Sequence, residues 1–333
     1  MIASIHKYQW GKSSILFGLL LVLVIYDLTL GSFYISIPEI MDGLFSYSPG
    51  STTEMTVRVF RFPRVMTAIL AGAALSISGL LMQTLFQNPL AGPYVLGINS
   101  GASLLVAVST MSSFYVFNTD FGLITAALIG AFGAGLFILF CSVFVKNKIS
   151  LLLVGIMFGS FSGALVNVVQ AYSTPEDLKI YMLWSFGSLQ GVEFSQLGML
   201  FGVVFLGIIL AFLLVKPLNI LLLGDTNASL LGVKVKYVRL LIIFVTAILT
   251  GVITAYCGPI AFVGLVVPNM VKYIYKTTNH YQLLVGTLLA GALLIVGCDI
   301  AMQLLAPYFN LALNALTALI GAPIVMWIIM KRF

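Results

Sequence analysis

Three arginines, Arg58, Arg61 and Arg64, stand at intervals of three residues ahead of an apolar run that begins near Val65. A guanidinium presents a rigid fork of N–H donors that pairs side-on with carboxylates, so the cluster is suited to recognising an acidic partner. Catalytic chemistry finds no comparable foothold. Gly11, Lys12 and Ser13 read as the end of a phosphate-binding loop, but that motif needs a glycine where His6 stands and a strand ahead of it. Cys141, Cys257 and Cys298 fall in or at the ends of separate apolar runs, without paired spacing or a His or carboxylate cluster beside them, so neither a disulfide framework nor a metal site is expected. His6 and His280 read as ordinary surface residues of short loops. A nucleophile facing a base, or paired acids, would be needed for an intramembrane enzyme, and no apolar run holds a His or a clear pair; no catalytic residue is assigned. Asp27 and Asp299 are acids inside runs; a hydrogen bond to neighbouring backbone is the preferred reading of Asp299, with no transport role.

The elements that must position the arginines are set by composition. Of 333 residues, 61% are apolar and 8% charged, with a mean hydropathy of +1.12, beyond the range of chains that fold in water. The charges separate apolar runs of about 20 residues, the span of a bilayer core. Reading for runs predicts about ten transmembrane helices: 14–30, 65–86, 94–111, 122–145, 150–172, 197–215, 238–256, 260–275, 281–305 and 311–330. The run at 260–275, with Pro259 before it and Pro268 inside it, is the one expected to be short or broken. The stretch from Tyr181 to Leu189 is too short to cross and reads as interfacial or re-entrant. Lys7 and Lys12 before the first run resemble a signal peptide, but no small-residue cleavage site follows, and the run is read as a first helix.

Short cytoplasmic loops keep an excess of Lys and Arg. With both termini inside, Lys7, Lys12, Lys146, Lys148, Lys216, Lys234, Lys236, Arg239, Lys272, Lys276, Lys331 and Arg332 are cytoplasmic, while Arg58, Arg61, Arg64 and Lys179 stay outside with most of the acids. The net charge of +6 is then a product of topology and points to no nucleic-acid partner. Small residues cluster within runs (Ala71, Gly72, Ala73, Ser76, Ser78 and Gly79; Gly130, Gly133 and Gly135; Gly159 and Gly163) and predict close helix packing in lipid. Arg64 and Arg239 each open a run that leads to a Pro-aliphatic-Ala turn, Pro89-Leu90-Ala91 and Pro259-Ile260-Ala261. In this topology the copies run in opposite directions, as two inverted five-helix repeats would, with halves near 1–190 and 191–333 of a single membrane domain. The breaks, at Asn88, Pro89 and Gly97 and at Gly258, Pro259, Gly264 and Pro268, free backbone groups at membrane depth and are candidate pathway or hinge positions.

Longer motifs carry a resemblance. Arg61-Phe62-Pro63-Arg64, Ala68, Gly72-Ala73, Ser78-Gly79, Gln83, Asn88-Pro89-Leu90-Ala91-Gly92-Pro93, Leu96-Gly97 and Gly101-Ala102 form one block. Further blocks are Trp184 with Gly187-Ser188-Leu189, Leu223-Gly224 with Ala228 and Leu231-Gly232, the stretch from Gly258 to Leu265 with Pro268, and the stretch from Thr317 to Pro323. In this order they resemble the iron-chelate and cobalamin permease family of type II ABC importers, over nearly the whole chain after about residue 30. The resemblance implies an all-α permease fold in the bacterial cytoplasmic membrane, paired as a homodimer or heterodimer. It also implies two cytoplasmic ATPase subunits, which hold the ATP and Mg that this chain lacks motifs for, and an extracytoplasmic binding protein. By the same resemblance, Arg61 and Arg64, with Arg58 beside them, receive acidic residues of that binding protein. The cytoplasmic stretch 218–233, with Leu222, Leu223, Gly224, Asp225, Ala228, Leu231 and Gly232, resembles a coupling helix seated on the ATPase. Departures are Asn269 where the family has His, Lys272 for Arg, Gln303 for an Arg after the acid, Asn310 for Glu and Ala312 for Pro. They put part of the outer docking surface in doubt. The expected cargo is an iron-siderophore, with haem or cobalamin as alternatives. A secondary transporter would need more facing intramembrane charges, and a passive channel has no need of a leucine-rich coupling segment.

Overall fold

The computed structural model describes residues 2–45, 51–111, 120–145, 147–309 and 311–332. Lys146 and Asn310, and the side chains of His6 and Lys7, lie outside the described residues. Every regular element described is helical. Helix α1 (Ile2–Thr29) is followed by α2 (Ile37–Phe45) and α3 (Thr52–Thr56), which passes through a π-turn (Val57–Arg61) into α4 (Phe62–Phe86) as one 35-residue helix. A 3₁₀ turn (Pro93–Leu96) leads to α5 (Ile98–Met111), α6 (Asp120–Phe144), α7 (Lys148–Ala171), α8 (Pro175–Ser185) and α9 (Phe194–Leu213). Two short helices, α10 (Val215–Leu221) and α11 (Asp225–Leu230), make an elbow before α12 (Val235–Cys257), α13 (Val263–Tyr275), α14 (His280–Leu305) and α15 (Leu313–Arg332).

The expectation of ten crossings is corrected. Seven helices are long and apolar enough to cross a membrane: α1 from Trp10, the helix Thr52–Phe86, α6 from Gly122, α7, α9, α12 and α14. The runs at 94–111, 260–275 and 311–330 become shorter apolar helices, of 14 residues in α5, 13 in α13 and an apolar stretch of Leu313–Ile328 in α15. Thirteen residues reach only about 20 Å against a hydrocarbon core of about 30 Å. The physical reason lies in the breaks: Pro93 and Gly97 delay the start of α5, and Gly258, Pro259 and a left-handed Phe262 delay that of α13.

Helix α4 is the hub, buried along nearly its whole length against α14, α13, α12 and α9. It meets α14 in one antiparallel register: a Cβ on Gly72 would stand 2.1 Å from Gly291 O, and Ser76 Oγ donates to Thr287 O at 2.9 Å. Helix α12 meets α6 in the same manner, with Gly251 against Ala131 and Gly135 against Ala247. At the α4–α13 crossing a Cβ on Gly79 would lie 1.6 Å from Gly264 O. Pro268 cannot donate to that carbonyl, so the Gly79 Cα–H fills the position the helical N–H leaves empty. One buried apolar cluster runs from Leu20 to Leu316 through both halves of the sequence, whereas α1 and α7 leave much of their apolar surface uncovered.

Candidate docking and coupling sites

The arginine cluster forms at one end of the helix bundle, and its members turn to different tasks. The Arg61 side chain is buried. Its Nη1 donates to Leu28 O and Thr29 O, both at 2.9 Å, and its Nη2 donates to Phe33 O. The Leu28 and Thr29 carbonyls belong to the end of α1, where backbone acceptors lack helical partners, and Phe33 to the segment that follows; Arg61 therefore closes that helix. Gly31, at φ +152°, leaves room for the guanidinium, since a Cβ there would stand 2.7 Å from Arg61 Nη2. Arg58, within the π-turn, stacks over the Phe194 ring at 5.2 Å.

Arg64 pairs side-on with Asp299 of α14: Nε to Oδ1 at 2.9 Å and Oδ2 at 2.8 Å, and Nη2 to Oδ1 at 2.7 Å. Asp299 is fully buried, so its charge is held by this fork and not by neighbouring backbone as the sequence suggested. Gln303, one turn further along α14, donates to Asp299 Oδ2 at 3.2 Å and to Asp27 Oδ1 of α1. Arg64, Asp299, Gln303 and Asp27 thus form one hydrogen-bonded chain joining α4, α14 and α1. Gln303, a departure in the sequence, is the amide that joins the two acids. Arg64 and Gln303 border two cavities, of about 860 Å³ toward Gly187, Ser188 and Phe309 and about 380 Å³ toward Phe60 and Ser32. Arg64 Nη1 makes no hydrogen bond among the described residues, and the side chain is 18% exposed. Of the three arginines it is the one whose fork both meets an internal carboxylate and borders open space.

The breaks come together around α13. Asn88 Oδ1 accepts from Leu90 N, and Asn269 Nδ2 donates to Pro89 O and Leu265 O, each at 2.8 Å. Gly264 lies against Pro93, and Lys272 Nζ donates to Gln83 Oε1 at 2.8 Å. Asn269 and Lys272, noticed in the sequence only as departures, thus lock the two breaks together. Gly258 (φ +72°) sits under Trp184 O, where a Cβ would come within 2.3 Å. Ser188 N donates to Cys257 O, and Asn314 Oδ1 accepts from Ala261 N. Gly97 (φ +72°) packs on Phe158 of α7.

At the far end of α4 lies the elbow of α10 and α11. It is two short helices joined at Gly224 (φ +89°), not one continuous helix, and it closes at Gly232 (φ +84°). Leu218, Leu221 and Ala228 point inward, while Leu222, Leu223, Leu230 and Leu231 are exposed, Leu230 at 81%. Leu230 escaped the sequence reading, although its place beside Leu231 in a short polar helix was the available signal. Asp225 pairs with Lys148 at 2.8 Å and Arg239 at 3.6 Å, tying the elbow to α7 and α12. His280, expected on the surface, is buried: its N and Nδ1 both reach Asn219 Oδ1 at 2.8 Å, and its Nε2 pairs with Thr84 Oγ1 at 2.9 Å. Lys12 Nζ donates to Ile274 O and Lys331 Nζ to Tyr273 OH. The start of the α1 span and the end of α15 therefore share the elbow's face of the molecule.

Comparison with known proteins agrees with this arrangement. The sequence model of the FecCD transport family matches residues 19–331. The hemin transport system permease protein HmuU of Yersinia pestis is 35% identical over 275 residues, covering 82% of each chain. The vitamin B12 import system permease protein BtuC of Photorhabdus laumondii is 34% identical over 281 residues, covering 84% of this chain and 83% of its own. A solved structure described as an inward-facing conformation of a metal-chelate type ABC transporter superposes with a TM-score of 0.85 at 28% identity, covering 98% of this chain and 99% of the other. The chain, a multi-pass membrane protein, belongs to the FecCD transport family of ABC importer permeases.

Proposed function

We propose that the chain forms one half of the translocation pathway of an ATP-driven importer for a ferric siderophore in the bacterial cytoplasmic membrane. A second permease, identical or related, completes the pathway. The elbow faces the cytoplasm and seats on an ABC ATPase, one for each permease; ATP and Mg are held there. Arg64, bordering the cavities at the opposite face, receives a carboxylate of an extracytoplasmic binding protein, with Arg58 at the rim and Arg61 tying the helix that carries both to the end of α1. The observation that carries this reading is the ridge of Leu222, Leu223, Leu230 and Leu231, because four exposed leucines grouped on a short elbow mark a surface for a protein partner. The two arginine-opened helices, α4 and α12, each packed on a long helix of the other half of the chain, support an inverted repeat of the halves 1–190 and 191–333. A haem or cobalamin cargo is the second reading, favoured by relatives named for hemin and vitamin B12.

The test joins purified permease to its ABC ATPase, with Leu223→Asp plus Leu230→Asp as the comparison. The wild type retains the ATPase through gel filtration and the variant loses it. Proteoliposomes supplied with binding protein loaded with ferric siderophore, haemin or cobalamin then report the cargo by uptake. An ATPase held equally by both proteins sinks the coupling assignment, and uptake of haemin or cobalamin alone replaces the siderophore.

A further inference from the structure

Polar ties fasten the α4/α14 pair at both ends, about 30 Å apart, the thickness of a bilayer core. At one end Arg64 grips Asp299. At the other His280 Nε2 meets Thr84 Oγ1, and the same histidine reaches out of the pair to the elbow. Between these ends Gly72 lies on Gly291 and Ser76 bonds Thr287, all in one register, so no soft layer separates the two helices. Packed interiors transmit displacement and do not absorb it.

The contact with the elbow is specific. The first N–H groups of a helix lack intrahelical acceptors. The side chain of Asn279 serves Tyr281 N, and Asn219, from α10, serves His280 N. Asn219 Oδ1 also accepts a hydrogen bond from His280 Nδ1, so one side-chain oxygen of the elbow holds both the backbone and the ring of the residue that opens α14. A second tie runs from Gln87, the left-handed residue that ends α4, whose Nε2 donates to Leu221 O at 3.0 Å. Both helices of the pair are thus bound to α10 at their elbow ends. Apolar packing of Leu218, Leu221 and Ala228 also seats the elbow, but its other polar attachments, through Asp225 to Lys148 and Arg239, are partly exposed ion pairs that salt and water weaken.

We propose that Asn219, His280 and Thr84 form a clasp that makes the α4/α14 pair a rigid strut, carrying movement of the elbow to Arg64 and the outer cavities at the opposite face. The inference rests on the importer reading above and adds the route. His280 and Asn219 are positioning residues: they touch neither nucleotide nor cargo, and their role is to keep the elbow and the strut in one moving body. Loss of the clasp lets the elbow follow the ATPase while the outer end stays still.

Nucleotide trapping needs no cargo and serves as the probe. The complete transporter, permeases with their ATPases, is placed in nanodiscs in a Cys141→Ser background. Nitroxides at Leu230→Cys report the elbow, and at Met55→Cys, on the helix continuous with α4, the outer end; the distance between the two copies of each label is measured before and after trapping with ATP and vanadate. In the otherwise wild-type protein both distances change. With Asn219→Leu the elbow distance changes as before and the outer change is lost, while Asn219→Asp, which keeps an acceptor oxygen, restores it. His280→Ala gives the same split as Asn219→Leu. Coupling between hydrolysis and uptake falls about tenfold in both disrupting variants, within the usual span of intersite coupling. An outer change of wild-type size in Asn219→Leu overturns the clasp and moves the route to the Asp225 pairs. If trapping moves neither label without any substitution, or no ATPase assembles, the importer reading itself fails and the clasp falls with it.

Discussion

Arg64 and Asp299 lie 235 residues apart and share three charge-assisted hydrogen bonds. An acid wholly removed from water is tolerable only with its counter-charge in place, and removing one partner of such a pair costs about 3–5 kcal/mol, whereas replacing both with apolar residues is often neutral. Asp299→Leu alone is therefore expected to lower thermal stability in detergent steeply, by about 3 kcal/mol, and Arg64→Met plus Asp299→Leu to recover most of that loss. A double variant as unstable as the sum of the two single ones would show that the residues act separately. The same double variant should still bind its ATPase, since the elbow lies at the other end of α4. If Arg64 docks the binding protein as proposed, stimulation of hydrolysis by that protein is lost in the double variant, because the fork bordering the cavities is gone.

At the scale of elements, the fold was legible wherever a run was long and uninterrupted. The long spans lie close to where hydrophobic runs put them, and the small-residue clusters at Gly72, Ser76 and Gly79 do mark the tightest helix contacts. What the sequence could not show was how far a proline or glycine break eats into a span. Hydropathy counts Tyr94 and Ile260 as membrane residues, whereas the backbone around Pro93 and Phe262 has not yet become helix of the α type. Arg61 was legible as a charge but not as a buried one, because its acceptors are the carbonyls of another helix's end. His280 and Asn219 were hidden for the same reason: their partners are set by a crossing 61 residues long in sequence. The α4–α13 crossing gives the sharpest test of this scale. Gly79→Ala forces the backbones apart at Gly264, and overpacking of this kind costs about 1–3 kcal/mol. Gly163→Ala, at a glycine with open space around it, should leave the midpoint of thermal unfolding unchanged. A Gly79→Ala protein as stable as Gly163→Ala would show that α4 and α13 do not meet as closely as described.

For the whole molecule, the decisive constraint is parity. Seven long helices that each crossed once, with nothing else crossing, would leave the two ends of the chain on opposite sides. Yet the bonds from Lys12 to Ile274 and from Lys331 to Tyr273 bring both ends to the end of α13. On the importer reading proposed above, the shorter helices α5, α13 and α15 add an odd number of further passages, made by helix and broken backbone together. Broken backbone at that depth is stable only because other protein groups satisfy it, and here Asn269, Asn314 and the Gly187–Ser188 turn do so. The same reading orients the molecule by charge: the face shared by Lys12, Lys148, Lys272, Lys331 and the elbow is the basic one, as the positive-inside rule expects of a cytoplasmic face. A single cysteine at Leu230→Cys, in a Cys141→Ser background, should resist a membrane-impermeant maleimide in intact cells or spheroplasts and react once the membrane is opened. Met55→Cys, on the arginine side, should react in intact spheroplasts. The reverse pattern would put the elbow outside, where no ATPase could reach it, and would remove the importer reading; reaction of both from outside would break the parity argument on which the shorter helices were assigned their passages.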